Sequence, residues 1–121
     1  MFTGIITDIG TVKSVESSPK GKTFEIQTNH DLSDVSLGAS IACNGVCHSV
    51  TAKSQTTFKI YSSLETLSVT NCNNWENGSK INLEMSLKLG DELGGHLVFG
   101  HVDAVGKIRS IDEAGNSFCI R

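Results

Sequence analysis

The 121-residue chain has no long hydrophobic run: 38% of it is hydrophobic and its apolar stretches are only a few residues each. No membrane-spanning segment is therefore expected, and no contact with a membrane. Met1-Phe2-Thr3-Gly4 has neither a basic n-region nor an apolar h-region, so no signal peptide is expected. Positive charge is scarce and scattered, with 10 Lys and Arg against 13 Asp and Glu and a net charge of −3. A nucleic-acid groove needs clustered basic residues, so nucleic-acid partners are excluded. The 4 cysteines (Cys43, Cys47, Cys72 and Cys119) form no C-x-x-C pair. That disfavours zinc, any other metal site and a disulfide framework, and it fits a reducing cytoplasm. Helical periodicity is also sparse, too sparse for parallel βαβ units. The length suits one compact domain and is a little short for two.

What the chain does have is a hairpin signal at its centre. Asn44-Gly45 lies between two alternating runs, where a two-residue type I′ turn needs positive φ at both positions. The implied register pairs Cys43 with Val46, Ala42 with Cys47, Ile41 with His48 and Ser40 with Ser49. Alternation puts Ile41, Cys43, Val46, His48 and Val50 on one face, which should look into a core. Ser40, Ala42, Cys47, Ser49 and Thr51 share the other face, small and polar enough to receive a flat polar ligand or simply to meet solvent.

Strands recur on both sides of this hairpin. Phe2 to Val15 reads as a strand with a bend or bulge at Gly10, and Ser17 to Gly21 as a turn. Thr23 to Gln27 alternates with Phe24 and Ile26 inward. Asp31 to Leu37 is expected to form a short helical turn burying Leu32 and Val35. Thr57 to Tyr61 is a further strand. Ser62-Ser63-Leu64-Glu65 then matches a capping box, with Ser62 accepting from the Glu65 amide at the start of a helix to about Asn71 that buries Leu64 and Leu67. Asn77-Gly78 marks a turn, and Lys80 to Met85 is a strand with Ile81, Leu83 and Met85 inward. Six strands before residue 90 at this spacing indicate an all-β barrel or sandwich.

An internal repeat extends the pattern. Gly4, Gly10, Val12, Ser14 and Val15 are matched by Gly100, Gly106, Ile108, Ser110 and Ile111, each 96 residues later. Phe24 and Ile26 recur as Phe118 and Ile120 if two residues are deleted in the turn. Residues 1–93 are thus expected to form one barrel and 94–121 the linker and start of a second, the chain being part of a protein with two barrels.

With these pieces in place, the sequence closely resembles the riboflavin synthase family of alpha-chain type, built from two lumazine-binding barrels. The resemblance rests on Met1-Phe2-Thr3-Gly4-Ile5-Ile6, Gly38-Ala39-Ser40-Ile41-Ala42, Asn44-Gly45-Val46-Cys47, Glu65-Thr66 and Ile81-Asn82-Leu83-Glu84. The run Gly94-Gly95-His96-Leu97-Val98-Phe99-Gly100-His101-Val102-Asp103 completes it. It implies two six-stranded antiparallel Greek-key barrels and a trimer. It also implies dismutation of two 6,7-dimethyl-8-ribityllumazine molecules by four-carbon transfer. The products are riboflavin and 5-amino-6-ribitylaminouracil, and no metal or redox cofactor is used. Each site would lie between the first barrel of one subunit and the second barrel of its neighbour. Two first barrels of this chain alone would pair as a homodimer.

The resemblance also assigns residues. Gly4, Ile5 and Ile6 would line a ligand site through their backbone, and Gly100, His101 and Val102 are their counterparts in the second copy. Ser40, Cys47 and Ser49 fall on the pocket face, with Ser49 where many relatives have Thr. His48 joins the ligand set, although the register turns its ring to the core face, where relatives commonly have Leu. Tyr61, Ser62, Ser63, Leu64, Glu65 and Thr66 match the strand-to-helix segment that holds the ring edge and ribityl chain. Ser40, Cys47 and His101 are the catalytic candidates, since imidazole can take a proton near neutral pH and a thiolate can attack the lumazine ring. His96 is read as structural, and Cys43, Cys72 and Cys119 as small hydrophobes. The rival reading is a non-catalytic lumazine or flavin carrier. A flavin-reductase barrel is prompted only by Lys59-Ile60-Tyr61-Ser62, and an oligonucleotide-binding barrel is opposed by the acidic balance.

Overall fold

The computed structural model describes residues 1–92 and 99–121. Strands β1 (Asp8–Ser18) and β2 (Gly21–Gln27) are joined by a two-residue turn at Pro19-Lys20. Strands β3 (Ser40–Cys43), β4 (Val46–Lys53) and β5 (Thr57–Ser63) follow. Helix α1 (Leu64–Val69) and a 3₁₀ turn at Cys72–Asn74 lead into β6 (Lys80–Met85). These six strands close into an antiparallel barrel in the order β1-β2-β5-β4-β3-β6. β6 returns beside β3 after the β3-β4-β5 meander, which is a Greek key. Two further strands, β7 (Ile111–Ala114) and β8 (Ser117–Ile120), form a separate hairpin, the start of a second barrel.

Period-two alternation fills the barrel. Phe24, Ile26, Ile41, Cys43, Phe58, Ile60, Ile81 and Leu83 are all buried in one cluster with Val12 and Val50. Each large apolar side chain so buried contributes about 1.5–3 kcal/mol. Trp75, arriving from the 3₁₀ turn, packs edge-on against Phe24 with ring centroids 5.2 Å apart. Gly10 is where β1 crosses the packed interior. A Cβ there would lie 2.7 Å from Leu83 Cδ1 and 2.8 Å from Ile26 Cγ2, so no side chain fits. Asp8, opening β1, ties it to the end of β2 by accepting from Thr28 Oγ1 (2.6 Å) and the Asn29 amide (2.8 Å). Partial burial raises its pKa, but these hydrogen bonds prevail and hold the carboxyl at about 2.

The central hairpin has the expected register, residue for residue, and Asn44 and Gly45 adopt φ of 50° and 78°. Elsewhere local expectations shift. β1 begins at Asp8, not Phe2, and its bulge falls between Val12 and Ser14. Turns at 33–34 and 37–38 stand in place of the helical turn over 31–37, Asp31 Oδ1 accepting from the Ser33 amide at 2.8 Å; Leu32 and Val35 are buried nonetheless. The helix cap is Ser63 and not Ser62. Ser62 faces the core, so β5 runs one residue further before α1 begins, and Leu64 is exposed while Leu67 is buried. The repeat also runs through its turn without deletion. Ala114 and Ser117 flank Gly115-Asn116 as Ser18 and Gly21 flank Pro19-Lys20, each 96 residues on. Ile120, not Phe118, therefore stands in the place of Phe24. Phe118, Ile120 and Cys119 are exposed.

His48 sits inside the barrel with only 3% of its surface exposed. Nδ1–H reaches the Val46 carbonyl at 3.0 Å, leaving Nε2 to accept from the Ser62 hydroxyl at 2.7 Å. Both partners are thus satisfied by the neutral ring. Burial lowers the His48 pKa, outweighing the Val46 hydrogen bond, which raises it. The folded state then binds this proton less readily than the unfolded chain, whose imidazole titrates near about 6.5. His48 stabilises the fold above that pH, and the contribution is lost as pH falls towards the depressed folded value. Thermal melts from pH 7.5 to 5 should show a steeper loss of Tm in the native chain than in His48→Gln, and identical slopes would refute the assignment.

Candidate functional site

The outer surface of the barrel is where the chemistry-bearing side chains collect. On β6, alternation turns Glu84 outward, beside Ala42 on β3, yet both are buried. The residues ahead of β1 cover them. Met1 to Gly4 lie across this face, the Leu87 amide donating to the Met1 carbonyl at 3.0 Å and the Glu84 carboxylate accepting from Thr3 and Gly4. Ala42 is thereby removed from the open face on which the hairpin pattern had placed it.

The segment from Phe99 onward docks on both this covering segment and the central hairpin. Gly100 donates to the Phe2 carbonyl at 2.8 Å, and Val102 to the Gly45 carbonyl at 3.2 Å. Between them the His101 ring meets the edge of Phe2, centroids 5.3 Å apart at 70°. This brings His101 and Val102 over the outer side of β4. There they form a cleft of about 230 Å³ with Gly45, Val46, Cys47, Glu65, Thr66, Val69 and Thr70. The far wall is α1, aimed by its cap: Ser63 Oγ accepts from the Thr66 amide at 3.2 Å and pairs with Thr66 Oγ1 at 3.1 Å. A second cleft of about 290 Å³ continues past Val46, Val69, Thr70 and Val102 to Asn71 and Gly106. The lining combines a thiol and valine side chains with a carboxylate, two hydroxyls and an imidazole. Such a site accommodates a flat, partly polar ring with hydrogen-bonding edges. Among the described residues no three His, Cys, Asp or Glu are grouped to hold a metal ion.

Five of the expected site residues meet here: Cys47, Glu65, Thr66, His101 and Val102. Gly100 precedes them at the docking point, and Ser49 is exposed two residues along β4 from Cys47. The others are placed elsewhere. Ser40 lines a separate cleft with His30, Asp34 and Lys88. His48 and Ser62 point into the barrel and bond each other, so their side chains do not reach the cleft. Tyr61 leans over Gly21 and donates to the Lys20 carbonyl at 2.6 Å. Leu64 is exposed at the start of α1, and Ser63 acts as its cap. Gly4, Ile5 and Ile6 are absent from the cleft wall; Gly4 instead abuts Gly100, its repeat counterpart. His96 lies outside the described residues. Val46, Val69 and Thr70 were missed, Val46 because alternation in the hairpin assigned it to the core.

Replacing the cap tests how this wall is built. Ser63→Ala should lower stability by about 1 kcal/mol and speed exchange of the Thr66 amide. Unchanged Thr66 protection in hydrogen-exchange NMR would show that Ser63 does not aim α1.

Comparison with known proteins agrees with this architecture. Residues 3–86 match the family model of the lumazine binding domain. Riboflavin synthase of Brucella abortus (strain 2308) is 48% identical over 122 residues, covering 97% of this chain and 60% of that protein. Riboflavin synthase of Bacillus subtilis (strain 168) is 39% identical over 117 residues, covering 97% of this chain and 54% of its own length. The chain thus spans 54–60% of these two curated relatives. A crystal structure of LumP complexed with riboflavin has the same fold, with a TM-score of 0.83 at 24% identity over 99% of this chain and 65% of that one. With the matched region covering most of the closed barrel, the chain belongs to the lumazine binding domain family.

Proposed function

We propose that the chain is the first barrel of a riboflavin synthase. Its cleft between β4, α1 and residues 101–102 would bind one 6,7-dimethyl-8-ribityllumazine or one riboflavin. The observation that carries this reading is the meeting of Cys47, Thr66 and His101, from three separate parts of the chain, around one cleft. The identity to riboflavin synthases named above supports it.

The chemistry asks for few groups. The 7-methyl of the lumazine is itself acidic, so the substrate carries most of the difficulty, as a cofactor does elsewhere. The protein's main task is to stack two ring systems in a reacting geometry, an effect worth up to roughly 7–11 kcal/mol. His101 stands at the cleft rim, where it can take the methyl proton or hold the ring edge. Cys47 is exposed in the same cleft and would add to the ring of a bound lumazine. Thr66 and Glu65 supply hydrogen bonds to the polar edge. The second ring would arrive on a second barrel, and the reacting pair would form between subunits of a homotrimer of the whole protein.

A reacting pair needs two bound rings and so a second barrel, and the 121-residue chain should therefore bind these ligands with little or no turnover. Titration with riboflavin should quench the flavin fluorescence saturably, and 6,7-dimethyl-8-ribityllumazine added to the chain should give no riboflavin absorbance. The same lumazine added to the full-length protein should yield riboflavin. Binding by the full-length protein with no riboflavin formed would favour the carrier reading instead. No binding by either form would overturn the site, and full turnover by the chain alone would contradict the need for a second barrel.

A further inference from the structure

Glu84 is a carboxylate on the outer side of a barrel strand, where solvent is the usual partner, yet it is only 4% exposed. Among the described residues no Lys, Arg or His pairs with it. Its charge is met by donors from the strap Met1–Gly4. The Thr3 amide and the Thr3 hydroxyl (2.9 Å) donate to one oxygen, and the Gly4 amide spans both oxygens at 3.0 and 3.2 Å. A buried carboxylate needs such donors to be tolerated, and backbone N–H groups so aimed are held as firmly as the anion they serve.

The strap in turn holds the wall of the cleft. Gly4, at φ +83°, turns the chain so that Gly100 can lie flat against it. A Cβ at Gly100 would stand 2.2 Å from the Gly4 nitrogen, so the two backbones are in direct contact. The Gly100 amide reaches the Phe2 carbonyl, and Phe2, buried outside the barrel core, meets His101 edge-on. We infer that Glu84 is a positioning residue: its carboxylate, acting through Thr3, Gly4 and Phe2, fixes Gly100 and His101 at the edge of the Cys47 cleft. Glu84 does not itself line the cleft. Its expected effect on ligand affinity rests on the flavin-binding reading above, whereas its effect on His101 does not.

The test uses ligand-free protein first. In Glu84→Gln and Thr3→Val, the Gly100 amide should exchange with solvent at least about tenfold faster, and the His101 ring signals should lose the shift imposed by Phe2. The ring signals of His48, held inside the barrel, should stay where they are. Riboflavin affinity should then fall about tenfold in Glu84→Gln and less in Thr3→Val, which removes one donor only. Movement of His48 and His101 together would mean that Glu84 merely supports the barrel and would overturn the inference. Unchanged Gly100 and His101 signals in both variants would overturn it as well. Failure of the native chain to bind riboflavin would sink the flavin reading alone, since the His101 and Gly100 signals still report the positioning.

Discussion

Closure of the barrel is the constraint on which everything else depends. β1 must pair with β2 on one side and β6 on the other, and Gly10 permits this by leaving room for Leu83 and Ile26 where the strands cross the interior. Once the ring is shut, no strand in it presents a free edge, and the interior holds only side chains. A planar ligand cannot enter. Any site has to be built on the outside, from residues that alternation turns away from the core. Those residues need cover from other parts of the chain to make a cleft out of a convex wall.

Two segments supply that cover, and they meet at Gly4 and Gly100, which are repeat counterparts. Met1 to Gly4 lies over Ala42 and Glu84, and Gly100 to Val102 lies beside it over the Cys47 end of β4. Where the first copy of the repeat has Ile5, the second has His101. The repeat position thus carries an apolar side chain away from the cleft in one copy and an imidazole at its edge in the other.

Much of this was legible in the sequence, for reasons that are local. Asn44-Gly45 dictated its own turn and hence its register, because few residue pairs accept two consecutive positive φ values. Phe24 with Ile26 and Ile81 with Leu83 announced inward faces by simple alternation. What could not be read was tertiary. Nothing in Lys80 to Met85 distinguishes Glu84 from a solvated strand residue until the strap is laid across it. The capping-box pattern favours Ser62 over Ser63, and His48 overrules it by taking Ser62 as its interior partner. Val69 and Thr70 gave no signal, since their role depends on where α1 packs relative to residues 101–102.

The most direct measurement is a crystal structure of this chain soaked with riboflavin. The account predicts the isoalloxazine ring on the outer side of β4, touching Cys47 and lying between Thr66 and His101. A ring bound in the cleft beside Ser40 and Lys88, or on any surface that leaves Cys47 and His101 untouched, would contradict it.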